Sequence, residues 1–128
     1  MLIFGHPWIK SKEFRKVFSI EDIKQAPSDA VMLLEPLSDS ITLAQYCQEQ
    51  RITFALTVTS VTEALFANAL GSSYLLSQVE DAARIQPIAQ EYLFDTKVLT
   101  LVNSEKEIKK MAELSIDGVV FPEAITMA

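Results

Sequence analysis

The sequence predicts a single α/β domain in which a mostly parallel sheet of five or six strands is flanked by helices in three layers. Three observations predict it. From Ala30 onward, short apolar runs alternate with amphipathic stretches of helical length, at a period of about twenty residues. Ser-x-x-Asp/Glu spacings at Ser19, Ser60, Ser77 and Ser104 mark helix starts, the last three directly after apolar runs. Finally, residues 97–121 contain a complete strand–helix–strand unit. Val98, Leu99, Leu101 and Val102 give a buried strand, Ile108, Met111, Ala112 and Leu114 one helical face, and Val119–Phe121 a second strand after the Asp117-Gly118 turn.

The elements follow in order. Residues 1–18 form an irregular segment with two short strands, Leu2–Phe4 and Phe14–Phe18, around Gly5-His6-Pro7. A helix starts at Ser19 and ends near Ala26, before the Pro27-Ser28-Asp29 turn. Ala30–Glu35 is apolar without alternation, as expected of a strand buried on both faces, and Pro36 closes it. Helix Asp39–Gln50 carries Ile41, Leu43, Ala44 and Cys47 as its core stripe. Ile52–Val58 alternates with a period of two and reads as a strand with one less buried face. Helix Val61–Leu70 ends at Gly71, strand Tyr74–Leu76 follows, and Pro87 is expected to kink or restart helix Val79–Phe94. Residues 122–128 are read as a C-terminal tail.

Composition narrows the function classes. Apolar residues make up 49% and charged residues 22% of 128, with three glycines and five prolines, as in a folded domain. No apolar run approaches the ~18 residues of a membrane span, and no secretory signal opens the chain. The single Cys47 cannot form an internal disulfide. These features point to a cytoplasmic protein. Residues 1–26 carry five basic and three acidic side chains, and the remainder six and fourteen. So acidic a body repels phosphates, which argues against nucleic-acid and anionic-membrane partners. The cluster Lys10, Lys12, Arg15 and Lys16 reads as a solvated edge.

In outline the expected sandwich is flavodoxin-like or Rossmann-like. It resembles the phosphoryl-receiver fold too, yet the acidic pair, aspartate and lysine which that family places after its strands are replaced by Ser, Thr, Asn and Pro. The phrase Ile116–Phe121 after an amphipathic helix resembles one βα unit of (β/α)8 phosphodiesterases and aldolases, which implies a half-barrel as the rival arrangement. A full barrel takes roughly 200 residues or more, so the open sandwich is expected at this length.

Ligands of parallel α/β domains bind beyond the carboxyl ends of the strands. That rim carries Glu35 and Glu123, each ending an apolar run beside a proline, and His6 joins it if Leu2–Phe4 runs parallel. Two nearby carboxylates can divide into acid and base, and a histidine titrates near neutrality. The bland reading is that Glu35 and Glu123 end strands by reaching water and that His6 caps a turn. The glycines form neither G-x-G-x-x-G nor a P-loop, and glutamates at the helix starts repel phosphate, so no nucleotide cofactor is expected. One histidine and one cysteine give no metal site, and Cys47 on an apolar stripe reads as a buried structural thiol. Trp8, Phe14 and Phe66 are candidates for an interaction surface, because Trp8 and Phe14 sit among basic residues and Phe66 lies on a helix apolar around much of its circumference. The leading expectation is therefore a non-catalytic module that associates with itself or another protein. A small enzyme or ligand-binding domain using Glu35, Glu123 and His6 is the alternative.

Overall fold

The apolar runs become eight short strands in one sheet, every neighbouring pair parallel. The structure is a computed structural model describing all 128 residues. Its strands are β1 (Leu2–Phe4), β2 (Phe14–Lys16), β3 (Val31–Leu34), β4 (Phe54–Thr57), β5 (Tyr74–Ser77), β6 (Lys97–Leu101), β7 (Gly118–Val120) and β8 (Ile125–Met127). The helices are α1 (Ile20–Gln25), α2 (Ile41–Gln50), α3 (Val61–Ala69), α4 (Val79–Glu91) and α5 (Lys106–Glu113). No helix is long and apolar enough to cross a membrane. The α/β class, the parallel sheet and the helix-on-sheet packing are those the alternation predicts, with eight strands in place of five or six.

The strand order is β1-β7-β6-β5-β4-β3-β2-β8, and the sheet is rolled. Strands β1 and β2 are six positions apart in that order, about 29 Å in a flat sheet. Yet the Phe4 and Phe14 rings stand 4.9 Å apart, and both lie edge-on to Tyr74 of β5, at 5.6 and 5.8 Å. These three aromatics, with Val31, Leu33, Ala55, Leu76, Leu99 and Val120, fill the inside of a small barrel. A second, larger core lies outside, where Met32, Leu34, Phe54, Leu56, Leu75 and Val98 meet Ala44, Cys47, Ala64, Ala67, Ile85 and Met111 of the helices. Helices thus cover one face of the sheet, and the other face covers itself. The edge strands meet at Gly5, where a Cβ would stand 2.9 Å from the Ala124 nitrogen and φ is +87°; only glycine allows that approach.

The local signals are realised unevenly. Ser19 and Ser60 accept from the amides of Asp22 and Glu63, whose carboxylates reach back to the amides of Phe18 and Thr59. At Ser104 only the return half forms, with Glu107 accepting from Asn103 and Ser104. At Ser77 the box is absent: Gln78 occupies the cap position and the Ser77 hydroxyl is buried without a partner. Helix α4 runs unbroken across Pro87, because Ile85, Gln86 and Ala89 bury enough of its face to outweigh one lost hydrogen bond. Residues 122–128 are not a tail. They turn once and supply β8, which pairs with β2 from Phe14↔Ile125 to Lys16↔Met127. Three residues show no periodicity, so only the partner strand defines that element.

Candidate functional site at the carboxyl mouth of the barrel

Alternation along a strand decides which side chains enter the barrel. In β2, Phe14 is inside, so Lys16 points inward as well. In β3, Val31 and Leu33 are inside, and Glu35, next in the series, continues the row at the carboxyl end. The ladder Lys16↔Leu33 sets the two side by side, and Lys16 Nζ lies 3.1 Å from a Glu35 carboxylate oxygen. Each side chain is 32% exposed. The ion pair therefore caps the apolar interior where the strands end. Beside it opens a depression of about 510 Å³, lined by Lys16, Gln78, Leu101, Val102, Asn103, Pro122, Ile125 and Met127. An ammonium and two amides face an apolar floor, a combination suited to a small molecule with one polar end. Solvent access keeps the pair's contribution to stability at about 1 kcal/mol or less.

The other expected site residues lie elsewhere. Glu123 is exposed, and with His6, Lys10, Lys12 and Glu13 it borders a shallower depression outside the β1–β8 seam. Glu35 does not line that depression, so the structure sets the two glutamates in separate surroundings. His6 anchors a loop. Its Nδ1 accepts from the Trp8 backbone N–H at 3.1 Å, which leaves Nε2 to carry the hydrogen and donate to Glu105 at the start of α5. Trp8 and Phe66 are on the surface, 85% and 58% exposed, whereas Phe14 is wholly buried inside the barrel and offers no surface to a partner. Cys47 is buried against the outer core, and burial pushes its thiol from 9.0 up to about 11. No three His, Cys, Asp or Glu side chains are grouped so as to hold a metal ion. Lys16 is the residue that sequence reasoning passed over. Its signal was the spacing of two from Phe14, which puts both on one face.

The opposite end of the barrel has its own depression, about 440 Å³, bordered by Leu2, Asn68, Ser72, Tyr74, Thr96 and Lys97. Here polar side chains bond to backbone. Thr96 Oγ1 donates to the Ser72 carbonyl at 2.6 Å, Asp117 accepts from the Val98 amide at 2.8 Å, and Gln86 accepts from the Asp117 amide at 3.0 Å. Those three side chains hold neighbouring strands in register. No protein-family model matches the sequence, and no curated protein matches it.

Proposed function

We propose that this protein binds a small organic anion at the carboxyl mouth of its barrel. The observation that carries the reading is the Lys16–Glu35 pair, held half-buried over an apolar interior beside a depression of about 510 Å³. A ligand carboxylate or phosphate takes the Lys16 ammonium in place of Glu35, the amides of Gln78 and Asn103 supply further donors, and Leu101, Ile125 and Met127 hold the apolar part. Carboxyl-end placement agrees with where parallel α/β domains hold their ligands. Binding is the whole of the proposed activity.

The test is a thermal-shift screen with small carboxylates, phosphates and the corresponding neutral amides. A ligand at a hundred times its Kd stabilises the native state by about 2.7 kcal/mol. The expected result is a rise in Tm with at least one anion, absent with its amide and absent in Lys16→Met. An equal rise in Lys16→Met, or none with any anion, contradicts the proposal.

A further inference from the structure

The outer wall of the barrel is covered unevenly. Helices α1 to α5 form the connections from β2 through to β7, whereas the links from β1 to β2 and from β7 to β8 contain no α-helix. Strands β1 and β8 meet at the seam, so the bare part is one continuous strip. Between that strip and α5 lies an apolar groove of about 420 Å³, lined by Ile3, Trp8, Ile9 and Ile108, with Lys109 and the hydrogen-bonded His6 and Glu105 beside them. The nearby Lys10 and Lys12 are exposed and outside the protein's lysine and arginine ion pairs, which are Lys16–Glu35 and Arg84–Asp81.

Half-way round the barrel stands α3, the crossover between β4 and β5. Unlike an ordinary surface helix it carries apolar side chains outward as well as inward. Small Ala64 and Ala67 face the sheet, and Thr62, Leu65, Phe66 and Ala69 face solvent, an uncharged stripe at i, i+3, i+4 and i+7. By contrast α5 exposes Lys106, Lys109 and Lys110. One part of the barrel wall thus lacks a helix, and another displays an apolar helix face. Charge agrees with the match at the two surfaces: Lys109 stands at the groove with Lys10 and Lys12 nearby, and Glu63 is the one charged residue of α3.

We propose that the protein associates with itself, α3 of one copy lying in the Trp8 groove of the next. The two surfaces are different parts of the barrel wall, separated by α4 and α5, so the contact is heterologous. It does not close on two copies, and further copies add head to tail into a ring or an open chain.

Light scattering across a dilution series, with Trp8→Glu and Phe66→Glu variants, tests this. Both side chains are exposed, so both variants fold, as circular dichroism and melting curves near those of wild type would verify. Wild type is expected to show a weight-average mass that climbs with concentration from 14.3 kDa past that of a dimer. Each variant alone stays a monomer. An equimolar mixture gives a species of twice the monomer mass and nothing larger, because one partner supplies only the groove and the other only the helix. A wild type that is monomeric throughout overturns the proposal, as does association that survives both substitutions. So does a mixture that stays monomeric at concentrations where wild type associates.

Discussion

The two ends of the barrel are made from the same strands and use polar side chains in opposite ways. At the amino end Thr96, Asp117 and Gln86 each bond to a backbone group, while the charged rim residues Asp95 and Lys97 stand exposed and outside the ion pairs. At the carboxyl end Lys16 and Glu35 bond to each other, half in water, beside an apolar hollow. A group bonded to backbone fixes the chain and is costly to disturb, whereas a solvated ion pair can exchange partners cheaply. The comparison separates a structural end from an adaptable one.

The largest expected effect lies between the ends. Phe14 is fully buried and joins both through Phe4 and Tyr74, so Phe14→Ala is expected to cost about 3–5 kcal/mol. Urea unfolding would show it as a lower midpoint at unchanged slope. A loss under about 1 kcal/mol would mean that the interior is not packed as described. At the amino end, Asp117→Ala leaves the Val98 amide without its acceptor and is expected to cost about 1–3 kcal/mol while leaving any anion response intact. Loss of that response together with stability would erase the distinction between the ends.

Cys47 supplies a smaller effect that belongs to neither end. Its thiol is neutral when protonated, and burial raises its pKa from 9.0 to about 11. Between those values the unfolded chain gives up the proton and the folded protein keeps it. The contribution is therefore whole below pH 9 and is lost as pH rises towards 11. Stability measured by urea at about pH 8 and about pH 10.5 should fall further in wild type than in Cys47→Ala. Identical falls would contradict a buried, protonated thiol. Smallest of all is the stability cost of Lys16→Met, about 1 kcal/mol or less, despite its expected effect on ligand binding.

The α/β class was legible because helix and strand periods differ, and Lys97–Phe121 displays both within one unit. Closure was not, because it rests on Phe4 meeting Phe14 and on Gly5 meeting Ala124, contacts that no local pattern encodes. Length also pointed to an open sheet, since the expected size of a barrel assumes a helix after every strand. Here β1 and β7 lead on without one. At the site, Glu35 was legible as the end of an apolar run. Lys16 was hidden among Lys10, Lys12 and Arg15 until the alternation with Phe14 set it inside. His6 and Glu123 follow strands in turns whose direction is fixed by long-range contacts, so their positions could not be read from spacing.

The account rests on the carboxyl mouth being the end that receives a ligand. An amide NMR titration with the most stabilising anion of the thermal screen tests it most directly. Shifts are expected to concentrate at Lys16, Glu35, Gln78 and Asn103, with Ser72, Thr96 and Val98 unmoved. Shifts gathered instead around Ser72, Thr96 and Val98 would contradict it.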